Sequence, residues 1–491
     1  MAHPTRPAGG RDPSPGGPAP APAPVAYVPR LGLFSGTMAV IGGIIGSGIF
    51  LNPAIVAARV GTAPLTLAAW IMGGVVAILG AFVYGELAAR VPRVGGGYAY
   101  LRDAFGPLPA FLYAWALLLI VATGAIAAVA FTFASYAGAL FGLPERVLPF
   151  LAAGAILALS ALNYIGVEPA AWTQNVFTLL KLAALAGLIA AGLLLPFAAA
   201  APHPMAASLR PPSGFGGIAL ALATAFVPVL FAYGGWQQTN FIAEELVEPE
   251  RNLPRALVLG VSGVIAVYLL ANVAYLRVLG VAGLGASTAP AADTMSAVLG
   301  PRGRTLISAG ILASTFGFLD LVIMVSPRVY QAMAADGLFF GSFARLHPRF
   351  RTPGTAIVAQ GVWACLLIAT KTYGQLLDWV TFADWIFFGA TAATLIVHRR
   401  RDRAAPSGTS AQRIAAGGGG ADSSAGMEKP GAAGSFRLPG YPGTLILFLL
   451  AAAYVVAGSA SSNPVNALRG ALLLAAGVPV FLLWDRRRRR E

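Results

Sequence analysis

The sequence predicts an all-α integral membrane protein of twelve transmembrane helices. Ten form a 5+5 inverted repeat in which helices 1 and 6 are broken, and two more follow. Three observations predict this. Of 491 residues, 57% are hydrophobic and only 11% are charged, against about 25% charged in a soluble domain. Apolar runs of about 20 residues recur along the chain, each long enough at 1.5 Å per residue to cross a hydrocarbon core of about 30 Å. The first and sixth of these runs carry matching interruptions near their middles, the sequence sign of a binding site between repeats.

Residues 1–29 hold nine prolines among Ala and Gly and contain no apolar run. They fit neither a cleavable signal peptide nor a packed element and are expected to be a disordered cytoplasmic tail. The twelve spans fall at about 33–58, 64–89, 108–139, 146–165, 172–195, 217–246, 254–280, 303–334, 354–371, 375–398, 442–459 and 465–484. All are helical by expectation, because a helix satisfies its own backbone in lipid and no run shows the alternation of a barrel strand. The first ten spans make a core over residues 30–398. A flexible cytoplasmic linker at 399–438 follows, rich in Gly, Ala and Ser between 404 and 436; two C-terminal helices occupy 439–485 and a basic cytoplasmic tail 486–491.

Thirty-three Lys and Arg against 19 Asp and Glu give a net charge of +14. With the N-terminus inside, 24 of the basic residues fall in cytoplasmic segments, eight on the outer side, and Lys181 within a span. The positive-inside rule then places both termini in the cytoplasm, of a plasma or inner membrane. The runs at 399–403 and 486–490 read as anchors at anionic lipid headgroups, not as a nucleic-acid surface. Cys365, the only cysteine, lies inside an apolar run. No disulfide framework and no disulfide-linked subunit is expected. The sequence leaves the oligomeric state open.

Span one reads TMAVIGGIIGSGIFLNPAIVAA, with Gly42, Gly43, Gly46 and Gly48 gathered around Ser47. Span six reads TAFVPVLFAYGGWQQTNFIAEEL, where Pro228 leads into Gly234-Gly235. Proline removes an amide hydrogen bond, and glycine both loosens the helix and lets a ligand approach the backbone. Either break alone fits a small-residue packing seam equally well. Their occurrence as a pair, five spans apart, favours a binding site.

Such a site has a specific chemistry. Amide N–H groups freed at Ser47, Gly48 and Ile49, beside Gly46, open a half-helix whose positive end suits a carboxylate. Carbonyls freed at Ile44, Phe231, Ala232 and Tyr233 suit an ammonium. Two facing breaks of this kind hold a zwitterionic α-amino acid and leave its side chain to a variable pocket. Phe231 and Trp236 bracket the second break and are expected as aromatic walls or gates. Glu244, Glu245, Arg251 and Asn252, at the cytoplasmic end of span six, suggest an inner gate or a loop anchor.

Three ionisable residues stand out deep within spans. Lys181 sits about nine residues into span five, where a lysine costs about 2.5 to 3.5 kcal/mol on insertion scales unless it has partners; the competing reading is snorkelling to an interface. It is assigned to coupling or gating. Asp384 on span ten reads as a substrate-facing carboxylate that favours a cationic side chain or carries a proton, or alternatively as a paired structural acid. Asp320 on span eight reads as structural.

At these residues the chain resembles the amino acid-polyamine-organocation superfamily, and more narrowly its L-type amino acid transporter branch. The resemblance rests on GTMAVIGGIIGSGIF at 36–50, YGELAARVPRVGGGYAYLRDAFG at 84–106, FAYGGWQQTNFIAEELVEPERNLPRA at 231–256, SPRVYQAMAADGLFF at 326–340 and RLPGYPGT at 437–444. It covers nearly all of 30–485. It implies a leucine-transporter-like fold and sodium-independent amino acid transport, usually by exchange. It further implies carboxylate contacts at Ser47 and Gly48 and amine contacts at the carbonyls of Ile44, Phe231 and Gly234. Related sodium-coupled folds hold a sodium ion behind the break in span one, and an ammonium from Lys181 there would replace it. The chain departs from the pattern at Gly97, where the family often has Glu, and at Gln237 and Asp320, where it often has Asn. Animal members that pair with a heavy chain use an outer-loop cysteine, which this chain lacks.

Other function classes fare poorly. His3, His203, His347 and His398 fall in tails, loops or at a span end, so no buried His can serve a Ser or Cys nucleophile. No phosphate-cradling loop or repeated filter loop appears. No metal and no cofactor is expected. The reading that remains is a secondary transporter of neutral L-amino acids, working by exchange or proton-linked uptake. The alternatives are a transporter of cationic amino acids or polyamines, motivated by Asp384 and Asp320, and a non-transporting amino acid sensor, for which the 399–438 loop is the hint.

Overall fold

The computed structural model describes residues 26–197, 212–369, 373–404, 436–462 and 464–488. The expected tail up to residue 25 and the linker between 405 and 435 lie outside the described residues. A helix occupies each of the twelve predicted positions. Among the described residues, eight helices are long and apolar enough to cross a membrane, nine if the bent pair at the start counts as one span.

That pair is α1 (Leu33–Ile44) and α2 (Gly48–Val60), bent by 42° at the Ile45–Ser47 break. The helix stops because Ile45 leaves helical geometry at φ −77°, ψ 87°. Next, α3 (Ala63–Arg90) starts on a Thr62 side-chain cap with Pro64 in its first turn, where a missing N–H costs nothing. The short α4 (Gly97–Phe105) and the long α5 (Pro107–Phe141) follow, and a π-helical turn at Leu117–Val121 interrupts α5. Two more spans are α6 (Leu148–Tyr164) and α7 (Val167–Leu194).

The second break separates α8 (Gly214–Ala232) from the 3-10 helix α9 (Trp236–Glu245). Then α10 (Pro249–Ala286) and α11 (Pro290–Ala335) are each kinked at a glycine with φ 65°, Gly280 and Gly300. The chain continues through the single turn α12 (Gly341–Ala344), then α13 (Gly354–Ala369), α14 (Tyr373–Ala404), α15 (Gly443–Ser462) and α16 (Pro464–Arg488). The linker boundary expected at 399 shifts, because α14 stays helical through Ala404 and Arg399–Arg403 form its last turns.

Buried side chains gather into two cores. One joins α1–α3, α8 and α10; the other joins α4–α6, α11 and α13. The two breaks lie where they meet. At one end of the bundle, residues 30–31 lie along the end of α9: the amides of Arg30 and Leu31 both donate to Glu245 O at 2.9 Å, and Val247 N donates to Leu31 O at 2.9 Å. Beneath them Arg328 of α11 and Glu245 of α9 form a buried ion pair at 3.0 Å. At the same end the Tyr98 hydroxyl (2.6 Å) and the Arg102 guanidinium both bond Asp336. Burial works against the charge of Arg102, and the bond to Asp336 more than restores it, so the guanidinium sits above its ordinary pKa. Buried Glu86 on α3 accepts from Arg399 Nε at 2.9 Å and from Leu438 N at 2.7 Å, which fastens both sides of the linker to one helix.

Candidate functional site

The two breaks touch through bare backbone. A Cβ built on Gly235 would lie 2.1 Å from Gly43 O, and one built on Gly43 would lie 2.8 Å from Gly235 O. Gly235 is also at φ 102°, a conformation that only glycine adopts without strain. One side chain supports it: Gln237 Oε1 accepts from Gly235 N at 3.2 Å. On the other flank a Cβ on Gly48 would meet Ala232 Cα at 2.9 Å.

The half-helices α2 and α8 are laced together at the defect made by Pro228. Proline has no N–H for the carbonyl one turn earlier, and the Arg59 guanidinium donates to that carbonyl, Thr224 O. Asn52 Nδ2 donates to Pro228 O at 2.7 Å. Pairing along α8 is thus restored from α2.

Between the breaks is a cavity of about 100 Å³, roomy enough for far more than one water. Of the expected site residues, Ile44, Gly46, Ser47, Gly48, Phe231, Ala232, Gly234 and Asp384 line it. The first turn of α2 points into it with Gly48, and the leading amides of a helix have no carbonyl one turn earlier to bond, although Phe50 N donates to Ser47 O at 3.1 Å. The C-terminal ends of α1 and α8 face the same space. The cavity therefore has one pole of backbone N–H groups and one of backbone carbonyls. Its walls are mainly apolar: Tyr113, Leu117 and Val121 come from α5 and its π turn, Phe318 from α11, and Trp385 and Phe388 from α14. Phe231 is 37% exposed.

Three expected residues are placed elsewhere. Ile49 is fully buried, with its carbonyl accepting from the Tyr275 hydroxyl at 3.3 Å. Tyr233 packs against Trp70 and Tyr268, with ring centroids 5.8 and 5.0 Å apart. Trp236 is turned away from the cavity, edge-on to Tyr84 at 4.8 Å and against Phe388 at 5.8 Å and Phe448 at 6.2 Å. The local reason for its direction is that it follows a left-handed glycine and opens a 3-10 helix, so it departs from the α-helical spacing.

Lys181, fully buried on α7, donates from Nζ to Ile45 O at 2.8 Å and to Gly42 O at 3.2 Å. Ser314 of α11 adds a hydroxyl bond to Ile45 O at 3.3 Å. The carbonyls freed behind the break in span one are therefore held by the Lys181 amino group and a hydroxyl from two neighbouring helices.

Sequence reasoning missed Tyr268. Its hydroxyl lies 3.1 Å from both Ile44 O and Ala232 O, one carbonyl from each break. A hydroxyl has one hydrogen, so it serves the two carbonyls in turn; Ile44 O also accepts from Gly46 N at 2.9 Å. Nothing in the apolar run around residue 268 marks this role. Gln237, Gln238 and Ser326 also line the cavity; the glutamines stand beside Gly-Gly in sequence, whereas Ser326 is brought in only by the fold.

The family model described as amino acid permease matches residues 31–476 of this chain. The chain is 34% identical over 377 residues to the human b(0,+)-type amino acid transporter 1, covering 75% of this chain and 76% of that protein. It is 32% identical over 467 residues to the mouse large neutral amino acids transporter small subunit 2, covering 94% and 81%. The human counterpart of the latter gives the same figures.

Proposed function

The chain belongs to the amino acid permease family and is a multi-pass membrane transporter of amino acids, not an enzyme; from this premise we propose that it exchanges neutral L-amino acids across the plasma membrane by alternating access, independently of sodium. The reading includes twelve spans with both termini cytoplasmic, of which the first ten form a 5+5 inverted repeat. The bundle of spans one, two, six and seven moves against the remaining helices. No disulfide-linked subunit is part of it.

The observation that carries this reading is the meeting of two broken helices at Gly43 and Gly235 beside a cavity with an N–H pole and a carbonyl pole. That arrangement fits an α-amino and an α-carboxyl group a few ångströms apart and leaves the apolar wall of α5, Phe318 and Phe388 to a neutral side chain. The amides at Ser47 and Gly48 take the carboxylate; the carbonyls of Ile44, Phe231, Ala232 and Gly234 take the ammonium, the Tyr268 hydroxyl giving way to it. Lys181 supports sodium independence, because its ammonium already occupies the carbonyl cluster behind the break.

Competition against labelled leucine tests the recognition of both charges. Leucine methyl ester and 4-methylpentanoate, each lacking one charged group, are expected to compete at least tenfold more weakly than leucine. Loss of one charge-assisted pairing is worth about 1.5 to 3 kcal/mol. Equal competition by either analogue contradicts a zwitterion held at two poles.

A second reading, for cationic side chains, is favoured by one observation. Asp384 lines the cavity, and a carboxylate in a mainly apolar wall attracts a positive group. On that reading lysine competes at least as well as leucine, and Asp384→Asn weakens lysine more than tenfold while sparing leucine. If the ranking is unchanged in Asp384→Asn, the carboxylate plays no part in side-chain selection.

A further inference from the structure

Buried carboxylates here generally meet cations: Glu86 is held by Arg90 and Arg399, and Glu245 by Arg328. Asp320, on the face of α11 that packs against α6, is different. It is fully buried, and among the described residues its one hydrogen bond comes from a neutral amide, Asn163 Nδ2, at 2.8 Å from Oδ1. Asn163 spends its other amide hydrogen on Leu159 O at 2.9 Å. This leaves two buried oxygens on the bonded pair without partners among the described residues, Asp320 Oδ2 and Asn163 Oδ1.

Among the described residues, the surroundings supply no compensating charge. Helices α5, α6 and α13 contain no Asp, Glu, Lys, Arg or His. Their titratable groups are phenols and the half-buried thiol of Cys365, none of them positive. On α7, Lys181 is committed to Gly42 O and Ile45 O, and Glu168 pairs with Arg30 at the surface. On α11 itself Arg328 is committed to Glu245 of α9, whose other acid, Glu244, accepts from Val94 N. An ionised Asp320 would be an uncompensated charge in an apolar helix interface, the costliest state a buried carboxylate can take.

Both orphaned atoms are acceptors, so what is missing is a donor. A proton on Asp320 Oδ2 supplies it, removes the charge and offers a hydroxyl to Asn163 Oδ1, while Asn163 Nδ2 already donates to Asp320 Oδ1. We propose that Asp320 and Asn163 form a buried proton-binding site between α6 and α11, in which Asp320 is a neutral carboxylic acid at pH 7. The site is separate from the amino acid cavity and rests on no part of the exchange reading.

Infrared spectroscopy of the full chain in liposomes at pH 7 reads it directly. The wild-type minus Asp320→Asn difference spectrum should contain the C=O stretch of an un-ionised carboxyl, shifted down in heavy water. The same band should persist in Asp384→Asn, which excludes the cavity carboxyl as its source. A difference spectrum holding only the two carboxylate stretches overturns the proposal. So does an acid band that disappears when sodium or potassium is added, since the oxygens would then be a cation site. Should Asp320→Asn fail to accumulate, aspartate labelled with carbon-13 at the side-chain carboxyl in the Asp384→Asn background gives the same reading: an isotope-shifted acid band upholds the proton site and its absence overturns it.

Discussion

Gly235→Ala is expected to reduce transport by about 100-fold or more. The new Cβ would stand 2.1 Å from Gly43 O, a backbone atom that cannot rotate away, and the residue would have to hold φ 102°. Left-handed strain costs about 1 to 3 kcal/mol and overpacking about 1 to 3 kcal/mol more, so a loss near 3 kcal/mol, about two powers of ten, follows. The change falls where the poles of the cavity are aligned, so the protein should still insert as a helical bundle while substrate binding is lost. Gly43→Ala should behave alike but more mildly, since its Cβ would lie 2.8 Å from Gly235 O without a φ penalty. Amino acid binding by purified protein checks this. Near-normal affinity in Gly235→Ala would mean that contact between the breaks does not shape the site.

Lys181→Met is expected to reduce initial uptake by between about tenfold and 100-fold. Methionine fills much of the lysine volume, so the packing of α7 is largely kept, but Ile45 O and Gly42 O lose the ammonium at 2.8 and 3.2 Å. A charged hydrogen bond is worth about 1.5 to 3 kcal/mol. Ile45 O retains Ser314 at 3.3 Å, which keeps the loss below the sum of two such bonds. Uptake in Lys181→Met at the wild-type rate would reduce the lysine to a space-filling role.

Both breaks were legible in the sequence because their cause is local: glycine and proline cannot sustain an ordinary helix, and their clusters fell at matching positions. The cavity-lining residues of the two breaks follow from the same signal. What the sequence concealed depends on long-range placement or on backbone detail. Tyr268 is one apolar-looking tyrosine among many until α10 brings its hydroxyl within 3.1 Å of both breaks. Asn163 and Asp320 are 157 residues apart, and only the packing of α6 on α11 pairs them. The direction of Trp236 depends on the helix after Gly235 being 3-10 and not α, and the π turn at Leu117–Val121 that lines the cavity has no marker in LLLIV. Lys181 is the opposite case, since a lone lysine deep in an apolar span demands polar partners wherever it lies.

The measurement that tests the central claim most directly is uptake of labelled neutral amino acid into proteoliposomes, with and without unlabelled amino acid inside, in sodium and in choline buffers. Sodium-independent exchange predicts rapid uptake only into preloaded vesicles, at the same rate in both buffers. Uptake into empty vesicles driven by sodium would contradict it.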